Sequence, residues 1–135
     1  MALGDAPFAE PMVASLESAL RSASAEYHGI VAHEGTTLVG LIVLGAVSGA
    51  QGAGRIYFVA VDAAARRRGL ATTLLEAGCV ELRRRRARFV VIELPEEPRL
   101  VAAFALARRA GFEEEARVGD YAREGVGLVV LRRTL

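Results

Sequence analysis

The stretch Val59-Ala60-Val61-Asp62-Ala63-Ala64-Ala65-Arg66-Arg67-Arg68-Gly69-Leu70-Ala71-Thr72-Thr73-Leu74-Leu75 leaves this chain few ways to fold. Just upstream, Ile56, Phe58 and Ala60 alternate with Tyr57, Val59 and Val61, so both sides of the run are apolar or aromatic. A strand of that kind is a central strand covered on both faces. Downstream, Leu74, Leu75, Gly78, Cys79 and Leu82 share one face at helical spacing, which predicts an amphipathic helix. Between the two lies Arg66-Arg67-Arg68-Gly69-Leu70-Ala71. Gly69 lets the backbone come close to a ligand, and Ala71 adds almost no bulk. The first helical turn leaves N–H groups without intrahelical partners, and the helix dipole makes that end positive. With the arginines added, the segment reads as an anion site that suits a diphosphate. The plainer alternative is a solvated basic loop closing an ordinary strand–helix unit.

At these residues the sequence resembles a known family. Arg66-x-x-Gly69-x-Ala71 is similar to the (Gln/Arg)-x-x-Gly-x-(Gly/Ala) signature of the GNAT superfamily of N-acetyltransferases, and the likeness runs from roughly Leu38 to Leu135. Its placement between an apolar strand and an amphipathic helix strengthens the match. The resemblance implies an α/β (α+β) fold, a mixed and mostly antiparallel central sheet with splayed strands, flanked by helices. It implies acetyl-CoA as cosubstrate and no metal. The pyrophosphate then lies on the backbone of Arg66, Arg67, Arg68, Gly69, Leu70, Ala71 and Thr72. The pantetheine amides pair with Val59, Ala60 and Val61 like an added strand, where the strand holding Phe58–Val61 parts from the strand holding Phe89–Leu94.

The length of 135 residues predicts one domain, 1–135, with a sizeable core. Seventeen basic residues, all arginine, stand against sixteen acidic ones, a balance that gives no global drive toward nucleic acid or membrane. One cysteine excludes an intramolecular disulfide and a multi-cysteine metal site. No apolar run reaches transmembrane length, and Met1-Ala2-Leu3-Gly4-Asp5 does not begin a signal peptide, so the expectation is a soluble cytoplasmic protein.

In chain order, Phe8 to Ser24 reads as a helix, with Pro11 in its first turn and Met12, Leu16 and Leu20 on one face. Tyr27 to His33 reads as a short strand, Glu34-Gly35-Thr36-Thr37 as a hairpin turn, and Leu38 to Val47 as a long aliphatic strand. Ser48 to Gly54 is a Gly-rich loop, Arg55 to Val61 the central strand, Leu70 to Arg86 a helix and Phe89 to Leu94 a buried strand. Pro98 to Ala110 reads as a helix with Leu100, Val101, Phe104 and Leu106 apolar, ended by Gly111. Phe112 to Val118 and Val126 to Thr134 form a final strand pair. The family usually opens with a strand, and nothing before Phe8 offers one, so that strand is expected to be absent or vestigial. The next strand then lies nearer a sheet edge, which a homodimer is one way to cover.

Acetyl transfer to an amine makes three demands. A lysine-like amine is only about one part in a thousand neutral at pH 7, so it must lose a proton. The thioester oxygen must be stabilised as charge builds on it, which a backbone N–H does. The departing thiolate benefits from a proton donor. Glu93, a carboxylate within Phe89-Val90-Val91-Ile92-Glu93-Leu94, is the first candidate for the base. Burial there is expected to raise its pKa. The alternative is a strand-end glutamate bound to backbone, arginine or solvent. Glu96 and Glu97 follow in a loop placed to line the acceptor side, but read first as helix N-terminal charges before Pro98.

The family often carries a tyrosine four residues before the Gly of Gly111-Phe112, where this chain has Ala107. Its usual asparagine near the helix start is missing too, since Pro98, Arg99 and Leu100 occupy that region. Tyr121, expected in the loop joining the last strands, is the substitute candidate for the acid, against a reading as a surface tyrosine. Otherwise the thiolate leaves directly to water. His28 and His33 make no convincing metal site, and Cys79 reads as core packing. The run Arg83-Arg84-Arg85-Arg86, with Arg88, sits at a helix C-terminus without interleaved aromatics and reads first as a solvated helix end. Three functions follow in order: an N-acetyltransferase acting on a primary amine, a GNAT-fold acyl-CoA-binding module without catalysis, and an Arg-rich nucleic-acid-binding module.

Overall fold

A single extra residue in the central strand shapes the sheet. The computed structural model describes residues 27–66 and 69–135. Within them run β1 (Tyr27–Glu34), β2 (Thr37–Ala46), β3 (Ala53–Val61), α1 (Leu70–Arg84), β4 (Phe89–Pro95), α2 (Val101–Arg109), β5 (Glu113–Arg123) and β6 (Val126–Thr134). The strands form one six-stranded sheet in the order β1-β2-β3-β4-β6-β5. The β3–β4 pair is parallel and the other neighbours are antiparallel. This is the mixed, mostly antiparallel sheet expected from the sequence. The helix read over Phe8 to Ser24 and the question of a missing first strand lie outside the described residues. Among the described residues, no helix is long and apolar enough to cross a membrane.

Between β2 and β3 the register runs Val43↔Phe58 and then Leu44↔Ile56, so Tyr57 has no opposite residue. That is a β-bulge, which bends a strand and increases its twist. It also resets the alternation. Ile56 joins the main buried cluster, and beyond the bulge Val59 and Val61 join it. The unbroken alternation of Ile56, Phe58 and Ala60 read from the sequence is therefore corrected. At the same level β3 stops pairing with β4, since their partners run only from Ala53↔Phe89 to Ile56↔Ile92. Beyond it β3 stays with β2 as far as Val61, while β4 stays with β6 as far as Pro95. The two central strands thus open into a fork at their C-terminal ends.

Both helices pack on the core through one cluster, which joins Leu75, Cys79 and Leu82 of α1 and Ala103 and Leu106 of α2 to Ile42, Ile56, Ile92 and Leu131 of the sheet. Helix α1 lies close on β2 because each element leaves out a side chain at a glycine there. A Cβ at Gly78 would stand 2.7 Å from Ile42 Cδ1, and one at Gly40 would stand 2.7 Å from Leu74 Cδ1. On α2 the expected core residue Val101 is 67% exposed. A 3₁₀ turn, Pro98–Leu100, precedes the helix. Its tighter winding rotates the buried face to Leu100, Ala103, Leu106 and Ala107.

Helix α1 ends in a Schellman arrangement, with the Ala87 N–H donating to the Leu82 carbonyl and the Arg86 N–H to the Arg83 carbonyl. The residue after the cap in that motif is usually glycine. Here it is Arg86, at φ 68. An L side chain in the left-handed region costs roughly 1–2 kcal/mol.

The contact between Gly78 and Ile42 gives a measurable expectation. Gly78→Ala improves helix propensity by about 1 kcal/mol, but its methyl collides with Ile42 Cδ1. In the wild-type background the substitution should be neutral or destabilising. In an Ile42→Val background, which lacks Cδ1 and leaves the Leu44 Cδ2 contact at 3.2 Å, it should be less destabilising than in wild type. Denaturant unfolding of the four proteins checks this, and an equal effect of Gly78→Ala in both backgrounds would remove the contact from the account.

Candidate functional site

The fork exposes main-chain groups of β3 to the gap. Asp62 N–H donates to the Val39 carbonyl at 2.9 Å. In an antiparallel ladder, opposite residues alternate between bonded and non-bonded pairs. Counting back from Val39–Asp62, Leu41↔Ala60 and Val43↔Phe58 are bonded pairs, and Gly40↔Val61 and Ile42↔Val59 are not. Ala60 and Phe58 therefore spend their N–H and C=O groups on β2. Val59 and Val61 direct theirs across the fork. Of the three residues expected to pair with pantetheine, Val59 and Val61 have the required orientation and Ala60 does not.

The loop after β3 is tied back to the strand. Arg66 donates twice to the Val61 carbonyl, from Nε at 3.2 Å and from Nη2 at 3.0 Å. These bonds leave the Val61 N–H and both main-chain groups of Val59 facing the gap. Arg67 and Arg68 lie outside the described residues. Gly69 caps α1 in the left-handed region at φ 71. Nothing stands within 4 Å of the place a Cβ would take there. The Gly69 carbonyl accepts from the Thr73 N–H and from Thr73 Oγ1, both at 3.0 Å. The helix ladder thus begins at Thr73, and the N–H groups of Leu70, Ala71 and Thr72 precede it at the positive end of the dipole. Gly69 and the N–H groups of Leu70, Ala71 and Thr72 thus form an open helix entry beside the fork.

Glu93 and Arg55 meet at the base of the fork. Arg55 Nη1 lies 2.5 Å from Glu93 Oε2. The guanidinium also sits 4.5 Å from the centroid of the Tyr57 ring, and Tyr57 packs on Tyr27 with centroids 5.0 Å apart. Glu93 is therefore not the isolated buried carboxylate that its apolar strand led us to expect, because its side chain is 26% exposed and ion-paired. Sequence reasoning passed over Arg55. The signal was present, since Arg55 is the one charge in β3 and Glu93 the one charge in β4.

Tyr121 lies within β5, not in the loop after it, and is 67% exposed. The strand continues past Val118 because the register slips between Val118↔Leu128 and Arg123↔Val126. Asp120 sits in this excursion at φ 56, with its Oδ1 accepting the Gly125 N–H at 2.8 Å. Leu128 is also the partner of Pro95, so Tyr121 projects beyond the C-terminal end of β4, the end at which the fork opens.

Glu96 and Glu97 tie the β4–α2 connection to β5. Glu96 pairs with Arg117, and Glu97 with Arg123 and Arg99. The Arg123 guanidinium is the main reason the Glu97 carboxyl is held below its ordinary pKa; desolvation opposes the shift and Arg99 reinforces it. Cys79 packs in the core as expected, and burial pushes its thiol up to about 11.

Comparison with known proteins agrees with this geometry. The sequence pattern of the acetyltransferase (GNAT) family matches residues 4–112. A GNAT-family protein from Desulfovibrio desulfuricans superposes with a TM-score of 0.85 at 22% identity, over 93% of this chain and 79% of that one. The ribosomal-protein-alanine N-acetyltransferase from Brucella melitensis gives 0.72 at 23% identity, over 93% and 78%. A Bacillus subtilis acetyltransferase solved in complex with CoA gives 0.75 at 17% identity, over 93% and 86%. No match was found among curated proteins.

The Glu97 contacts predict a pH dependence. A carboxyl whose pKa is lowered in the folded state contributes stability above its unfolded value, near 4.3, and that contribution is lost as pH falls through the folded value. Wild type should therefore be more stable than Glu97→Gln at neutral pH, and the gap should close below about pH 4. Urea unfolding of both proteins across that range checks the sign. A gap that stays constant into acid would show that the charge of Glu97 is not what the arginines stabilise.

Proposed function

The chain belongs to the acetyltransferase (GNAT) family, and on that premise we propose that it transfers an acetyl group from acetyl-CoA to a primary amine, the amine attacking directly in a ternary complex. The observation that carries this reading is the fork between β3 and β4 opening beside the glycine-led start of α1. Bound acetyl-CoA supplies the activated acetyl group. The N–H groups of Leu70, Ala71 and Thr72 hold the pyrophosphate, with Arg67 and Arg68 adding charge. Each hydrogen bond to a charged group contributes about 1.5–3 kcal/mol. The Val59 amide and the Val61 N–H pair with pantetheine, and an N–H on this edge steadies the thioester oxygen as it gains charge.

Glu93 takes the proton from the incoming amine, and Arg55 holds the carboxylate in position at the base of the fork. Tyr121, projecting beyond the end of β4, returns a proton to the departing thiolate. Two observations favour a second reading, an acyl-CoA-binding module without catalysis. Ala107 stands where the family often has its tyrosine, and Arg55 already engages Glu93.

A thermal-shift titration with acetyl-CoA and CoA, on wild type and Gly69→Glu, tests the site. The glutamate would project into the space assigned to the diphosphate, so ligand should raise the melting temperature of wild type and leave the folded variant unchanged. Absence of any shift at millimolar ligand would overturn the acetyl-CoA reading. With binding established, Glu93→Gln should keep the shift and lower turnover of an amine substrate by about 100-fold or more. Wild type that binds but turns over no amine in a broad panel supports the second reading.

A further inference from the structure

Helix α1 carries the fork at one end and a cluster of guanidinium groups at the other. Its fifteen residues place the two about 22 Å apart. Gln51, Gly52, Arg85, Arg86 and Arg88 line a groove of about 580 Å³ at that second end. We infer that this groove binds the phosphodiester backbone of a single-stranded nucleic acid, independently of the acetyl-CoA site.

Three observations carry this beyond a run of basic residues. First, the guanidiniums are held in place. Arg88 Nη2 donates to the Gln51 carbonyl at 2.7 Å, and the Arg88 N–H donates to the Gly52 carbonyl at 2.7 Å. Its side chain lies so close on Gly52 that a Cβ there would stand 2.9 Å from Nε. Arg85 is fixed by Glu81 at 2.8 Å and by His28 Nδ1 at 3.0 Å. Cations fixed before binding lose less freedom when an anion arrives.

Second, Arg86 occupies a left-handed position at φ 68 that a glycine would fill without strain. A strained residue retained at such a place points to a role for its side chain, and here that side chain lines the groove. Third, the charge is locally unbalanced. Of Arg83, Arg84, Arg85, Arg86 and Arg88, two pair with Glu81, Arg84 at 2.7 Å and Arg85 at 2.8 Å. Arg83 and Arg86 form no ion pair with the described residues. The helix end adds only about half a negative charge, and its last carbonyls are occupied by the N–H groups of Arg85, Arg86 and Ala87.

Phe89, next to Arg88 in the chain, has Arg88 at 5.3 Å and Arg132 at 4.6 Å over its ring. Those arginines take the place a stacked base would need. The groove therefore reads phosphates and not bases, and it accepts RNA and DNA of any sequence.

Fluorescence anisotropy with a short unstructured single-stranded RNA, and with DNA of the same sequence, tests this on the full chain. Three phosphate contacts give a salt slope near −2, so binding should weaken about 20-fold between 50 and 200 mM salt. Arg86→Gly removes one cation and relieves the backbone, so the variant folds. It should raise the melting temperature, reduce the slope by about 0.7 and leave the acetyl-CoA shift intact. Gly69→Glu should bind both oligonucleotides as wild type does. The inference is overturned by absence of binding at low salt, by an unchanged slope in Arg86→Gly, or by loss of binding in Gly69→Glu, which would put the oligonucleotide in the fork. It is equally overturned if inorganic pyrophosphate displaces the oligonucleotide at matched phosphate concentration, which would mark a small-anion site.

Discussion

The structure depends on a conflict in the hydrogen bonding of one strand. β3 is hydrogen-bonded to β2 along its length, yet it must leave β4 after Ile56. Tyr57 resolves the conflict by standing outside the β2 ladder, which bends β3 without breaking it. The cost is a set of main-chain groups at Val59 and Val61 with no strand opposite. Backbone donors and acceptors need partners. An extended ligand carrying its own amides would complement such an edge.

The surroundings hold that opening in shape. Arg66 ties the start of the loop to the end of β3 through the Val61 carbonyl. The glycine contacts at Gly40 and Gly78 seat α1 directly on β2. Arg55 bridges the base of the fork to Glu93 on the other strand. On the far side, Arg117 and Arg123 bind the β4–α2 connection to the last hairpin. Each tie is a charged or short contact between elements that sheet pairing alone does not hold together.

Much of this was legible in the sequence, for physical reasons that differ by residue. Gly69 stood out because a glycine between an apolar strand and an amphipathic helix has few other uses. The core face of α1 was readable because Leu74, Leu75, Gly78, Cys79 and Leu82 repeat at helical spacing, and all five are buried. The bulge was not readable. Every residue from Ile56 to Val61 is apolar or aromatic, so moving one residue out of register leaves no mark in the pattern. The same uniformity hid which of Val59, Ala60 and Val61 face the gap. Tyr121 was misplaced because Gly119-Asp120 resembles a turn, and only the longer register shows the strand resuming. Val101 was misassigned because a 3₁₀ turn and an α-helix start alike in sequence and differ in phase.

The single cysteine carries a consequence of its own. Cys79 lies on the underside of α1, buried against the sheet, with a thiol far less acidic than usual. A reagent that needs both access and thiolate will find neither while the helix is seated. The rate of its modification is therefore a clock for the lifting of α1 from the sheet. Because α1 also forms the entry to the fork, any ligand bound there should slow that clock, so a thiol with no part in the chemistry reports on the occupancy of the site.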